Sequence, residues 1–168
     1  MAPGLTRVIS LVAPAEGDVS RIRHYLEHLA RDEGIPYAKA SDDFLRATLF
    51  GTSPVAVPHL LQWHAPKDQM NGFCGLAIHS WKWGAFSGTL DMYLHALYVE
   101  PRFRGQGVGK AAISALAELA RRHGASRLEL LTTSDNDSAA VFYDSQGILA
   151  ATHMVVRRKT CAIEKDAP

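Results

Sequence analysis

Three glycines at alternating positions, Gly105, Gly107 and Gly109, form a loop that could bind a phosphate-bearing ligand. The loop follows the apolar run 93–99, which alternates as a strand does, and precedes residues 111–122, whose apolar side chains recur at helical spacing. A turn between a strand and a helix presents free backbone N–H groups at the helix N-terminus, where the helix dipole favours an anion. Glycine lets that backbone approach phosphates without a clashing Cβ. The segment therefore predicts a pyrophosphate site.

Two familiar phosphate-binding motifs do not fit this segment. A P-loop needs Gly and then Ser or Thr at positions where this chain has Arg104 and Ala111. The Rossmann fingerprint fails at Lys110, and no early βαβ unit surrounds it. The pattern that does fit residues 104–109 is Arg/Gln-x-x-Gly-x-Gly/Ala. A glycine-rich turn without a ligand is the alternative for this segment taken alone.

A second constellation of chemistry-bearing residues follows the loop. Residues 128–133 have the character of a strand, and Ser134, Asp135 and Asn136 form a cluster typical of a helix start. Tyr143 comes after this cluster, at a distance from the loop that leaves room for one helix, one strand and one short helix. A core tyrosine on an amphipathic helix is the alternative interpretation of Tyr143.

In this order and at this spacing, the two segments resemble the two signatures of the GNAT superfamily of acetyl-CoA-dependent N-acetyltransferases. The resemblance implies acetyl-CoA as the donor substrate, no metal, and Tyr143 as the general acid. It implies that the glycine loop holds the pyrophosphate, and that Asn136 and the helix start hold the pantetheine arm. A neighbouring strand is expected to splay away from the strand at 97–99 and free its backbone N–H groups. The cofactor-binding residues implied are Leu97, Tyr98, Val99, Arg104, Gly105, Gln106, Gly107, Val108, Gly109, Lys110, Asn136, Ser138 and Ala139.

Acetyl transfer to an amine needs a neutral amine, a polarised thioester carbonyl and a proton for the leaving thiolate. An alkylamine has a pKa near ~10.4, so the site must remove a proton at neutral pH. A backbone N–H of residues 97–99 could polarise the carbonyl. The phenol of Tyr143, with an ordinary pKa near ~10, suits a basic thiolate. The family chemistry is direct attack by the amine, without a covalent acetyl-enzyme.

Within the superfamily the chain is most similar to the diamine (spermidine/spermine-type) N-acetyltransferases, but it departs from them at His95 and Ala96. Those enzymes carry an acidic pair there, which helps to bind a cationic amine. We therefore expect spermidine and spermine to be poor acceptors, unless the fold brings Asp32, Glu33 or Asp91 to the pocket. An imidazole titrating near ~6.5 can accept the amine proton, directly or through water, which makes His95 a candidate base. The alternative is that His95 only fills the place of the lost carboxylate.

Other reactive residue types have simpler interpretations. His24 and His28 stand four apart on a predicted helix and could ligate zinc, but no third ligand is apparent and a packed or solvated helix face is favoured. Cys74 lies in a predicted strand, where a small buried hydrophobe is favoured over a nucleophile. Aromatic residues that could line the amine pocket, face a dimer partner or simply pack are Trp81, Trp83 and Phe86.

The elements that must position these residues follow from periodicity and turn signals. Strands are expected at 7–12, 59–64, 72–81, 93–99, 128–133 and 151–158, with a turn at 65–71 and a loop at 82–88. Helices are expected at 19–31, 41–49, 111–122 and after Asn136. The expected fold class is α/β (α+β), and the resemblance implies the GNAT fold, with a central mixed, mostly antiparallel twisted sheet flanked by helices. One GNAT domain is expected at 5–159, followed by a tail at 160–168.

Composition limits the function classes. The 168 residues suit one domain, and the 47% apolar and 21% charged content is ordinary for a globular protein. A net charge of +1 gives no electrostatic case for nucleic acid or an anionic membrane. Two cysteines and no apolar leader favour the cytoplasm. We expect an N-acetyltransferase acting on a small-molecule amine, as a homodimer. The alternatives are a peptide or protein N-acetyltransferase and a non-catalytic acyl-CoA-binding module.

Overall fold

A computed structural model describes residues 8–36, 40–64, 72–85 and 87–159 of the chain. Its strands are β1 (Val8–Val12), β2 (Val57–His64), β3 (Gly72–Gly84), β4 (Thr89–Val99) and β5 (Ala125–Leu130). Its α-helices are α1 (Val19–Asp32), α2 (Asp42–Phe50), α3 (Val108–Arg122) and α4 (Asp137–Ser145). Short 3₁₀ turns lie at Glu16–Asp18 and Pro101–Phe103. Within these described residues, no helix is both long and apolar enough to span a bilayer.

The five strands form one sheet in chain order, from β1 at one edge to β5 at the other. The first four strands pair antiparallel, and β5 pairs parallel to β4 because α3 carries the chain back across the sheet. Strand β4 pairs with β3 along its whole length, but its ladder with β5 ends at Leu94 opposite Leu130. The predicted mixed, mostly antiparallel sheet and the predicted splay beside residues 97–99 are both confirmed.

Helices cover both faces of the sheet, so the central strands β2, β3 and β4 are buried on two sides, whereas the edge strand β5 has no buried residue. Helix α3 packs on one face through apolar residues such as Ile113 and Leu116, over Leu61 and Met92. Helices α1 and α2 pack on the other face, where Ile22 is among the buried residues. Strand β4 contributes to both cores, and this fixes its position in the middle of the domain.

Helix starts follow the predicted capping chemistry. Ser41 caps α2, its hydroxyl accepting the backbone N–H of Phe44 at 3.1 Å. Asn136 caps α4 in the same way. Helix α3 begins at Val108, three residues earlier than expected, because Gly107 takes the left-handed conformation (φ 82°) at its N-cap.

The predicted strand at 151–158 is wrong. These residues form no strand, and the side chains of Met154, Val155 and Val156 are exposed. A run of β-branched residues makes a strand only where a neighbouring strand completes its ladder, and no described strand pairs with this run. Expectations for Arg7, the turn at 65–71, Phe86, the tail at 160–168 and Cys161 lie outside the described residues.

Other strand boundaries also differ from the sequence expectation, including the starts of β2 and β5, which lie two and three residues earlier than expected. Strand β3 continues to Gly84 and β4 begins at Thr89, so the loop expected at 82–88 is shorter. Polar contacts of Asp91 with Arg127 hold this extension of β4 to β5. Strand β5 ends at Leu130 instead of Thr133, because the following residues diverge from β4.

Candidate functional site

The divergence of β4 and β5 opens a wedge that holds a cavity of about 550 Å³. His95, Ala96 and Leu97 lie on the β4 side, and Leu131 and Thr132 on the opposite side. Helix α1 and the segment after α4 close the remaining sides. We call this the apolar cavity; its lining residues are Leu26, Leu29, Ala30, Glu33, Ile35, Leu94, His95, Ala96, Leu97, Leu130, Leu131, Thr132, Thr133, Ala139, Tyr143, Val156 and Arg158.

A second cavity, of about 530 Å³, continues from the first toward the glycine loop. We call this the polar cavity; its lining residues are Leu29, Asp32, Glu33, Leu97, Tyr98, Val99, Arg104, Gly105, Gly109, Thr133, Asp135, Asn136, Ser138, Ala139, Phe142 and Tyr143. The residues that line both cavities are Leu29, Glu33, Leu97, Thr133, Ala139 and Tyr143. The two cavities therefore form one continuous groove with an apolar and a polar half.

The glycine loop lies at the end of the polar cavity, where its sequence pattern predicted an anion site. Gly105 and Gly107 have φ of 68° and 82°, in the left-handed region that a side chain disfavours. Gly109 has a different role, because a Cβ there would lie 3.1 Å from the ring of Phe142 on α4. The loop glycines thus serve both the turn and the close contact between α3 and α4.

Not every predicted cofactor residue lines the groove. Gly105 and Gly109 do, whereas Gln106, Gly107, Val108 and Lys110 do not. Val108 is buried in the α3 core, and the side-chain amide of Gln106 donates to the carbonyl of Arg102 at 2.6 Å. Val108 can therefore contribute to ligand binding only through its backbone N–H, whereas the side chain of Lys110 is exposed.

Arg104 is held over the polar cavity by three contacts. Its Nε donates to the carbonyl oxygen of Val99 at 2.8 Å, and its guanidinium lies 5.6 Å from the centre of the Tyr98 ring. Its Nη2 donates to a carboxylate oxygen of Asp32 at the end of α1. The sequence pattern did not predict this ion pair, because 72 residues separate its members. An anion entering the cavity must share Arg104 with Asp32.

The N-terminus of α4 supplies the other polar contacts of the groove. Asn136 Oδ1 accepts the backbone N–H of Ala139 at 3.0 Å and the hydroxyl of Ser138 at 2.9 Å. Asn136 Nδ2 donates to Glu33 Oε2 at 2.9 Å. All three predicted residues line the polar cavity, and Glu33 joins them from α1's end.

Tyr143 lies at the junction of the two cavities, two turns into α4. Burial, followed by the nearby charge of Glu33, raises the pKa of its phenol to about 12. The hydroxyl therefore stays protonated throughout the physiological range, so it can donate a proton and cannot serve as a base at neutral pH.

His95 occupies a β-bulge. Ala96 is paired with Ile78 and Leu94 with His79, so His95 is an extra residue on β4. A bulge redirects the strand and its side chains, and bulges are common beside active sites. The bulge also lets Leu94 pack in one core and Ala96 in the other.

Ser80 fixes the orientation of the His95 ring, with 2.8 Å between Ser80 Oγ and His95 Nε2. Burial lowers the pKa of His95 below its usual 6.5, so the neutral ring that can accept a proton dominates at pH 7. The His95 ring also lines the apolar cavity, as Tyr143 does. Sequence reasoning did not identify Ser80, because nothing in the local sequence shows which β3 side chain contacts the bulged residue of β4.

The three carboxylates named as possible replacements have different positions. Asp91 is fully buried and bound to Arg127, with 2.8 Å between Oδ2 and Nη2, and it lines neither cavity. Asp32 lines only the polar cavity. Glu33 lines both, so the fold brings one carboxylate to the junction of the two cavities.

The other residues with reactive side chains lie away from the groove. Cys74 is buried, its thiol donates to the Leu61 carbonyl at 3.3 Å, and burial raises its pKa to about 11, which disfavours the thiolate. Trp81 stacks on His123, while Trp83 is 72% exposed. The His24 and His28 rings lie 4.3 Å apart. In the part of the chain that the structure describes, no three metal-ligating residues cluster.

Comparison with known proteins shows the family to which the chain belongs. The family model described as "Acetyltransferase (GNAT) family" matches residues 28–148. Thialysine N-epsilon-acetyltransferase of Bos taurus is 30% identical over 135 residues, which cover 79% of each chain. The Mus musculus protein of the same name is 29% identical over 137 residues, also 79% of each chain.

Two solved structures illustrate the likeness of fold. An integron cassette protein from the mobile metagenome of V. cholerae aligns with a TM-score of 0.68 at 22% identity, covering 94% of each chain. An aminoglycoside N-acetyltransferase in complex with CoA aligns with a TM-score of 0.67 at 16% identity, covering 95% of this chain and 99% of that chain. At these identities the likeness concerns the fold alone.

Proposed function

Because this chain belongs to the acetyltransferase (GNAT) family and is an N-acetyltransferase, we propose that it transfers the acetyl group of acetyl-CoA to a primary amine of a small molecule, by direct attack with both substrates bound. The observation that carries the proposal is the continuous groove. Its polar half ends at a glycine loop and Arg104, and its apolar half has Tyr143 and His95 on its walls. A donor with an anionic end and an acyl end fits a groove with these two halves.

The family relatives support the coarse substrate class. The curated relatives are named for an amine of a small molecule, thialysine, and one structural neighbour is an aminoglycoside N-acetyltransferase that holds CoA. In this chain we assign the pyrophosphate to Arg104 and the backbone of the glycine loop, and the pantetheine arm to residues 97–99 and the Asn136 cap. The open edge of β4 there offers backbone N–H groups that no described strand occupies.

The proposed reaction removes two protons from the acceptor ammonium and gives one to the leaving sulfur, and the groove has two groups, His95 and Tyr143, that can carry these protons. The neutral ring of His95 accepts a proton from the entering ammonium, directly or through water. The amine nitrogen then bonds to the thioester carbon, and a backbone N–H of β4 stabilises the resulting oxyanion. As the carbon–sulfur bond breaks, Tyr143 gives its proton to the leaving sulfur, and the Tyr143 phenolate regains a proton, through water, from the nitrogen, which is still positively charged after the attack.

Some expectations remain proposals. A homodimer, a cytoplasmic location and domain limits of 5–159 follow from the sequence and the family resemblance. Glu33 bears on the expectation that polyamines are poor acceptors. That expectation depended on no carboxylate replacing the lost acidic pair, and the Glu33 carboxylate does line the apolar cavity. The acceptor panel below tests the expectation that spermidine and spermine are poor acceptors.

The test is thiol release from acetyl-CoA over a panel of acceptors: monoamines, diamines, polyamines, amino acids, an aminoglycoside and short peptides. The proposal predicts turnover that depends on a small amine, with an N-acetylated product identified by mass spectrometry. Preference for peptides would favour the peptide N-acetyltransferase instead. CoA binding without turnover on any acceptor would contradict catalysis on amines.

A further inference from the structure

The segment after α4 forms part of the wall of the apolar cavity. Val156 and Arg158 line the cavity, whereas Arg157 between them and Val155 before them do not. This alternation places the side chains of 156 and 158 on the cavity side of the segment. The segment that the sequence predicted as a strand is therefore a border of the acceptor end of the groove.

Arg158 gives this border a positive charge that none of the described residues neutralises. Among the described residues that line the apolar cavity, it is the single arginine or lysine. None of the ion pairs formed within the described parts of the chain includes it. Arg104 in the polar cavity differs, because Asp32 pairs with it.

The only carboxylate lining the apolar cavity among the described residues, that of Glu33, already accepts a hydrogen bond from Asn136. It is also near Tyr143, at the junction with the polar cavity. An arginine fork matches a carboxylate with two parallel hydrogen bonds, and such charge-assisted pairs are the strong ones. The free cation on the wall thus suits an anionic group on the acceptor.

We propose that Arg158 binds a carboxylate of the acceptor, so that the preferred acceptor is an amine that also carries a carboxylate, as an amino acid with a side-chain amine does. The carboxylate lies at Arg158 and the amine reaches the junction between His95 and Tyr143. A polyamine offers a second cation where this acceptor has its anion, and Arg158 repels it. This inference rests on the proposed function, because it assigns the acceptor end of the same groove.

The experiment compares acceptors that differ by one carboxylate. Lysine and cadaverine, which is lysine without its carboxylate, form one pair, and ornithine and putrescine form another. The variants are Arg158→Gln, Arg158→Lys and the neighbouring control Arg157→Gln. We expect the native enzyme to favour lysine and ornithine in kcat/KM. Arg158→Gln should lower kcat/KM for these two by about 10–100-fold, chiefly through KM, since a hydrogen bond to a charged group has that magnitude.

The controls separate the inference from the proposed function. Arg158→Gln should leave kcat/KM for cadaverine and putrescine within about 2-fold of native or raise it, Arg158→Lys should restore part of the loss, and Arg157→Gln should behave as native. Equal use of lysine and cadaverine by the native enzyme would overturn the inference and leave the function standing. An equal loss on both members of a pair would also overturn it. No turnover with any amine would refute the function and the inference together.

Discussion

The two halves of strand β4 differ in the number of strands that hold them. Residues 90–94 are paired on both sides, to β3 and to β5, whereas residues 96–99 are paired to β3 alone and His95 is the bulged residue between them. In the half paired on both sides, which we call the closed half, Asp91 is fully buried and its carboxylate accepts hydrogen bonds from Arg127 and Ser126. In the open half, His95 lines the apolar cavity, and its hydrogen-bond partner among the described residues is the hydroxyl of Ser80.

One half of β4 thus contributes to the stability of the fold, and the other half is available to bind a ligand. A titratable group whose hydrogen-bonding capacity is filled by the fold contributes to the fold, even when its pKa is shifted, as Arg127 lowers that of Asp91. A group beside an unpaired strand edge keeps its capacity for a ligand. Perturbed pKa values mark both kinds of group, so they do not by themselves identify a site.

The largest effect is expected from Tyr143→Phe, on α4 in the groove beside the open half of β4. The change keeps the ring in the groove and removes only the proton donor to the leaving sulfur. General acid catalysis is typically worth ~10²–10⁴-fold, so kcat should fall within that range. Affinity for CoA and the thermal midpoint should remain close to native. Near-native kcat on the preferred acceptor would remove Tyr143 from the mechanism.

The closed half should respond in the opposite way, through Asp91→Asn. The substitution removes the charge that Arg127 binds inside the sheet, and the loss should be ~2–4 kcal/mol in the free energy of unfolding. Urea unfolding measures it. The matched control is Glu129→Gln on β5, whose ion pairs are more exposed and should be worth under ~1 kcal/mol. The folded Asp91→Asn enzyme should retain its kcat. A loss of kcat without a loss of stability would contradict the assignment of a purely structural role to the closed half of β4.

A pH profile sharpens the role of His95. Since burial lowers its pKa, the neutral base persists below the usual 6.5, and the acidic limb of kcat/KM should have its midpoint below that value. Activity should be lost as the pH falls through the lowered pKa. His95→Gln should remove the limb and reduce kcat/KM at pH 7 by about 10–100-fold, less than the upper range for a base because water can carry the proton. A profile unchanged by the substitution would show that His95 merely fills the site.

The smallest effect is expected from Asp32→Asn at the polar cavity. The Asp32 carboxylate competes with an incoming pyrophosphate for Arg104 and repels it. Removing that charge should tighten CoA binding by about 2–5-fold, as expected of an exposed ion pair. Calorimetric titration with CoA at two salt concentrations tests this. Weaker binding in the variant would mean that Asp32 positions Arg104 for the ligand.

The order of elements was largely predictable because the signals are local. The glycine loop, the Ser41 and Asn136 caps and the periodic helices each depend on residues within a few positions of one another. The likeness of residues 104–110 and 136–143 to a family supplied the roles of the loop and of Tyr143. The groove, in which these two segments meet, confirms their proximity.

The rest of the site depends on contacts that have no local signature. The bulge at His95 requires knowledge of the pairing with β3, and the Arg104–Asp32 and Asn136–Glu33 contacts join residues far apart in sequence. The expected strand at 151–158 failed for the related reason that strand propensity gives no information about a partner edge.

The most direct test of the division of β4 is a titration of the ¹⁵N-labelled native enzyme with CoA, followed by backbone amide chemical shifts. The account predicts shifts at residues 97–99, at Gly105 and Gly109, and at the start of α4. It predicts little change at residues 89–91, in the half that β5 pairs. Shifts concentrated in that closed half, or saturable CoA binding that leaves residues 97–99 unchanged, would contradict the assignment of the open edge as the donor site.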